Sequence, residues 1–118
     1  MKKTESQAKE LWKEASRIKW GERCVICSEP AAHMHHFVPK SRSRILKFDI
    51  KNAVPLCQKH HYKIHFSPEP DEIRDLCCKI REARGKKWCA YIDKMRKEIC
   101  KYNKGWILGE IKKLKRCL

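Results

Sequence analysis

The chain has 118 residues, 29 Lys and Arg against 14 Asp and Glu, a net charge of +15 and a pI near 9.7. That length allows one domain with at most a small appended helical part, and no apolar run is long enough to span a bilayer. So one-sided a charge is the electrostatic footprint of a polyanionic partner, and no charged-then-apolar leader begins the chain.

Residues 5–20 read as an amphipathic helix, with Leu11, Trp12, Ala15 and Ile18 on its stripe and Lys9, Glu10, Lys13, Glu14 and Arg17 elsewhere. It is expected to cover the hairpin that follows, to stop at Gly21 and to leave residues 1–4 frayed. Cys24-x-x-Cys27 forms a knuckle, and Glu29-Pro30 turns out of it. Residues 33–38 suit a strand with Met34 and Phe37 making its apolar contacts, and His33 reads as an exposed or DNA-facing histidine. The loop 39–51 carries Lys40, Arg42, Arg44, Lys47 and Lys51 against only Asp49, with Ser41 and Ser43 interleaved.

Residues 52–56 form a second strand leading into Cys57, and a short helix follows over 58–65. Ser67-Pro-Glu-Pro-Asp-Glu breaks the chain and starts a helix over 70–84, which ends near Gly85 and buries Ile73, Leu76, Cys77 and Ile80. A further helix is expected over 87–103, with Trp88, Tyr91, Ile92, Met95, Ile99 and Tyr102 inward. After Gly105 a last helix carries Trp106, Ile107, Ile111 and Leu114, with Lys112, Lys113, Lys115 and Arg116 near its end. The aromatics of this part read as core.

All six histidines and three of the eight cysteines fall between Cys24 and His65. Two metal sets can be drawn from them without using a side chain twice. Cys24-x-x-Cys27 with Cys57-x-x-His60 places two knuckles about thirty residues apart, the pattern of a closed Cys3His zinc site. A redox pair would instead need a surrounding βαβ pattern, and none is present. His61 and His65 are spaced i, i+4, so one helix face can bring both to a single ion. His60 precedes His61 by about 100° of helical rotation, so these neighbours serve different sites. The adjacent pair His35-His36 offers one imidazole to the metal and one to chemistry, because strand neighbours face opposite ways.

Read together, His35-His36, Asn52, His61 and His65 resemble the HNH or ββα-metal nucleases. That pattern is a His (or Asp)-His pair on a hairpin, an Asn on the next strand, then one or two His on a helix. The HxxxH helix is similar to that of the colicin-type DNases, and the Cys3His set is similar to the zinc that braces many HNH hairpins. The wording HHFVPKSRSR…D-x-x-NAVPLC-x-x-HH is also similar to phage recombination nucleases of the Rap/NinG type, which implies phage or mobile-element DNA processing or recombination. The resemblance covers about forty residues.

It implies an α+β fold in which a small ββα-metal core is braced by the Cys3His zinc site and flanked by an N-terminal helix and a helical C-terminal part. Residues 1–21 are the N-terminal helix packed on the core, 22–67 the nuclease core with its structural zinc, and 68–118 a helical C-terminal extension. So small a core buries little apolar area, which is why it needs the ion. The activity implied is hydrolysis of DNA phosphodiester bonds to 5′-phosphate and 3′-hydroxyl ends. His35, His61 and His65 would hold a catalytic divalent ion, and His36 would act as general base with a ring titrating near neutrality. Asn52 would hydrogen-bond across the loop to hold that histidine in place. An all-imidazole set favours Mn, Ni, Co or Zn over Mg. Beside such a centre, Lys40, Arg42, Arg44, Lys47 and Lys51 read as a phosphate clamp.

Cys77, Cys78, Cys89, Cys100 and Cys117 are an odd number within helical patterns and read as reduced, mostly buried thiols of a cytoplasmic protein. The tail is available for a homodimer interface. The competing readings are a zinc-stabilised basic DNA-binding module without catalysis, which leaves four histidines unexplained, and an assembly protein docking through its helical tail.

Overall fold

A computed structural model describes residues 1–118 as an α+β arrangement of five α-helices and one two-stranded sheet. Helix α1 (Lys2–Trp20) starts three residues before its apolar periodicity does. Residues 1–4 are not frayed, because the Met1 carbonyl accepts from Glu5 N and the Glu5 carboxylate is held by Lys47 and Tyr102. The buried face is Ala8, Trp12, Ala15 and Ser16, whereas Ile18 is exposed. The stripe is rotated from the expected one because α1 packs chiefly on α5 (Lys104–Arg116), where small Ala8 and Ala15 permit close approach, and only secondarily on the hairpin.

The hairpin pairs β1 (His33–His36) with β2 (Ala53–Leu56) antiparallel, in the register His33↔Leu56, His35↔Val54 and His36↔Ala53. Both strands are shorter than expected. Asn52 ends a 3₁₀ turn, Ile50–Asn52, instead of opening the strand, and its side chain takes over where ladder bonds would continue. Its Oδ1 accepts from Val38 N at 2.8 Å and its Nδ2 donates to Val38 O at 3.0 Å.

Strand alternation divides the interior in two. Val54 and Leu56 face one cluster, completed by Val38, Leu46, Ile80, Trp88 and Ile92. Ala53 faces the other, with Trp12, Phe48, Ile107, Ile111 and Leu114. Residues 68–118 therefore supply side chains to both clusters rather than trailing from the hairpin.

Helix α2 (Gln58–Phe66) leaves β2 after one residue, Cys57, whose sulfur accepts from His60 N and caps the helix. Helix α3 (Pro70–Arg84) and helix α4 (Lys86–Met95) meet at Gly85, whose φ of 90° ends the first as Gly21 at 83° ends α1.

Helix α4 stops at Met95, not at 103, and Ile99 is 95% exposed. A helix continuing to 103 would keep Tyr102 on its own face. The chain instead turns after Met95, carries Tyr102 back to Glu5 and Lys47, and restarts at Asn103, whose Oδ1 accepts from Trp106 N to cap α5. All eight cysteines are free. The expectation of mostly buried thiols fails, since Cys78 and Cys117 are exposed and Cys77, Cys89 and Cys100 only half-buried. Leu76 and Ile80 occupy the centre of the α3 stripe and leave Cys77 and Cys78 beside or outside it. No helix is long and apolar enough to cross a membrane.

Candidate metal centres

Cys24, Cys27, Cys57 and His60 converge, with their ligand atoms all within 4.8 Å of one another. A tetrahedral zinc with Zn–S of about 2.3 Å and Zn–N of about 2.0 Å places ligand atoms about 3.5–3.8 Å apart. Cys27 Sγ lies 3.7 Å from Cys57 Sγ, and His60 Nδ1 lies 3.5 Å from Cys24 Sγ and 3.2 Å from Cys57 Sγ. Disulfide sulfurs would be about 2.05 Å apart, so this is a ligand cage and not a bridge.

The first knuckle is built by Cys24 N donating to Glu29 O and Ser28 N to Cys24 O, with Ser28 in the left-handed region at φ 65°. Burial opposes ionisation of Cys24, but backbone N–H groups of Cys57, Cys27 and Ile26 outweigh it and hold the thiol below its usual range. The Glu29 backbone favours the Cys27 thiolate, yet burial and the Cys24 and Cys57 sulfurs push that thiol up. Three sulfurs this close resist joint ionisation without a cation among them. Burial, then Lys59, Lys63 and Lys79, lower His60 and so favour its neutral ring. The donor set suits a soft tetrahedral ion such as zinc.

His35, His61 and His65 form a second group with ring nitrogens within 4.8 Å. His61 Nε2 and His65 Nε2 are 3.1 Å apart, and the three rings stand edge-on in pairs at 71°, 79° and 81°. They border a hollow of about 330 Å³ shared with His36, Pro39, Lys40 and Ser41, and no acidic side chain lines it. Burial, then the neighbouring histidines, depress His35 to about 3. Burial, then His33 and His65, depress His61 to about 4. Both rings are unprotonated at neutral pH, as metal ligands must be, and so the donor set fits a divalent cation.

His36 points the other way, onto the α1 side of the hairpin. Its ring stacks on Trp12 with centroids 4.0 Å apart, and its Nε2 lies 2.9 Å from the Lys47 carbonyl. A carbonyl only accepts, so the ring proton sits on Nε2 and Nδ1 keeps its lone pair. Burial lowers His36 to about 4, against a partial opposing effect of the Lys47 carbonyl, with Lys40, Lys47 and Lys9 adding to the decrease. The ring is therefore well below the near-neutral titration expected of it. Asn52, fully buried, makes no side-chain hydrogen bond to His36. It ties Val38 to Leu46 through its Nδ2, 3.3 Å from Leu46 O, and so clamps the chain just after His36 to the chain just before Lys47.

The five basic residues of the loop have different neighbours. Lys40 alone borders the histidine hollow. Arg42 is exposed and Arg44 lies over the Tyr102 ring at 4.7 Å. The Lys47 ammonium is engaged by Glu5 at 3.0 Å and by Tyr102 at 2.9 Å, while Lys51 lies over Tyr91. Four contributors were missed in the sequence. His33 stacks on His61 at 4.2 Å, a relationship its i, i+2 spacing from His35 on one strand face already contained. Trp12 seats His36. Lys2 and Lys9 of α1 join Lys40 and His36 around a second hollow of about 300 Å³.

No family model, no curated protein and no solved structure matches this chain. What its own geometry establishes is a Cys3His cluster spaced to hold a metal ion such as zinc, and beside it a convergent group of three histidines.

Proposed function

We propose that the chain is a metal-dependent DNA endonuclease of the HNH (ββα-metal) kind, with β1, β2 and α2 as its core. One juxtaposition carries this reading: three imidazoles converge beside a fourth, His36, whose ring proton is committed to the Lys47 carbonyl. A DNA-binding module alone has no use for that arrangement. The charge of +15 supplies affinity for the phosphate backbone.

His35, His61 and His65 would hold a divalent ion, which would supply Lewis-acid stabilisation of charge at the scissile phosphate and the leaving 3′ oxygen. An all-nitrogen set favours Mn, Ni, Co or Zn over Mg. His36 takes the proton of the attacking water at Nδ1 while Nε2 stays hydrogen-bonded, the orientation that second-partner logic requires. Trp12 and Asn52 fix that ring from its face and through its loop. Lys40, with Lys2 and Lys9 across His36, draws the phosphates toward the hollow. The products carry 5′-phosphate and 3′-hydroxyl ends. The Cys3His zinc holds the first knuckle to α2 and so sets where His61 and His65 sit. The likeness in wording to Rap/NinG-type nucleases supports a place in phage or mobile-element DNA processing or recombination.

The test is plasmid nicking with added divalent ions. Wild type is expected to nick, and His36→Ala, which leaves all seven ligands intact, is expected to lose at least a hundred-fold in rate, within the usual range of roughly 10²–10⁴ for a general base. DNA binding without nicking under any divalent ion would leave only a zinc-stabilised binding module.

A further inference from the structure

Two aromatic side chains stand in solvent beside the histidine group. Tyr62 is 63% and Phe66 is 68% exposed, and their rings touch, with centroids 5.1 Å apart. Scattered exposed apolar residues need no explanation, but a contiguous aromatic pair at a candidate centre does. On α2, Tyr62 lies about 60° around the axis from His65, and Lys59 and Lys63 lie farther round on the same side. Phe66 keeps contact with the site, its ring 6.0 Å from that of His65. The helix surface thus reads, in angular order, as imidazoles, aromatic rings, then ammonium groups. Neither ring packs into either hydrophobic cluster, so the fold does not require them.

We propose that Tyr62 and Phe66 form a stacking platform for unpaired nucleobases, and that the substrate is DNA with a single-stranded stretch next to the cleaved bond. The link to cleavage rests on the nuclease reading above; the platform itself does not. Bases within a duplex present only their edges, so an exposed ring pair offers a duplex nothing, whereas unstacked bases offer faces. Lys59 supplies a cation for the phosphates that follow, and Lys63, 4.0 Å from Glu72, is only loosely held. A protein segment burying the same rings would gain nothing from the ammonium groups and would oppose the net charge of +15 unless strongly acidic.

The experiment compares binding of wild type and Tyr62→Ala/Phe66→Ala to three probes without added divalent ion: an oligothymidylate strand, an abasic strand of equal length and charge, and a blunt duplex. Wild type is expected to prefer thymidylate over the abasic strand by roughly ten-fold or more, the range of one stacked base. The double variant should lose that preference and keep its affinity for the abasic strand and the duplex. Both residues are solvent-exposed, so circular dichroism and melting should be unchanged. An equal thymidylate-to-abasic ratio in wild type and variant overturns the proposal. So does a wild-type dimer in sedimentation that the variant abolishes, which would make the pair an interface between copies. Base-dependent binding without cleavage of any probe under added divalent ions would sink the nuclease reading and leave the platform standing.

Discussion

The imidazole of His36 lies flat on the indole of Trp12, its plane within 5° of parallel. Trp12 also donates its N–H to the Asp49 carbonyl at 2.9 Å, so one buried side chain joins α1, the basic loop and the histidine. Trp12→Phe keeps a ring under His36 and loses one hydrogen bond, at a cost of about 1 kcal/mol. Trp12→Ala opens a cavity and costs about 3–5 kcal/mol. Urea unfolding should rank the two in that order, and nicking should fall more in the alanine variant even where both remain folded.

Asn52→Ala leaves Val38 N, Val38 O and Leu46 O without their side-chain partner in the interior. Loss of roughly 2–4 kcal/mol is expected from buried groups left unmet. Because the clamp frames both His36 and the Lys47 carbonyl, nicking should decline with unchanged ion stoichiometry. A variant as stable as wild type would show that the loop is held elsewhere.

The two ligand groups should separate by metal content. His61→Ala/His65→Ala is expected to purify with one zinc per chain and a near-native melt. Cys24→Ser is expected to lose that zinc and to melt far lower, since the cage holds the knuckle onto α2. Elemental analysis beside thermal melts reads both outcomes. Retention of stoichiometric zinc by Cys24→Ser would contradict the cage.

Arg84 lies over Trp20 at 3.5 Å and near Trp88 at 5.2 Å, and donates to Ala53 O at 2.8 Å. Burial alone lowers its guanidinium to about 10. Arg84→Met keeps the stem but removes the stacking and the bond to β2. A loss of about 1–2 kcal/mol is expected, moderated because Nη1 is buried without a partner in the native protein.

Glu5 should make stability sensitive to acid. The Tyr102 hydroxyl, then the Lys47 ammonium, hold its carboxyl below the ordinary value of 4.5. A carboxyl lowered on folding adds stability above its unfolded value, and that contribution disappears as pH falls through the folded one. Glu5→Gln should therefore flatten the stability profile below about pH 4.5 relative to wild type. Parallel acid limbs in the two proteins would show that the contact contributes nothing.

Local spacing made most of both ligand groups legible in the sequence. The i, i+3 knuckles and the i, i+4 histidines are set by a turn and a helix, and the opposed directions of His35 and His36 follow from strand alternation. What was not legible depends on tertiary placement. Nothing local says that α1 would set Trp12 beneath His36, and a backbone carbonyl such as that of Lys47 has no sequence signal at all. Periodicity also overran at Ile99, because the pattern of apolar residues continued after the packing partner had ended. Lys47 looked like a free cation in composition, yet the return of Tyr102 engages it internally.

The nine residues of α2 carry ligands for both groups, His60 for one and His61 with His65 for the other. The rotation of one short helix therefore sets both grips at once. An ion in the sulfur cage would fix that rotation, and any gain in affinity on the imidazole side would equal the gain that the converse order gives. On the proposed nuclease reading, cleavage would then depend on thiolate metallation, through an ion placed away from the DNA.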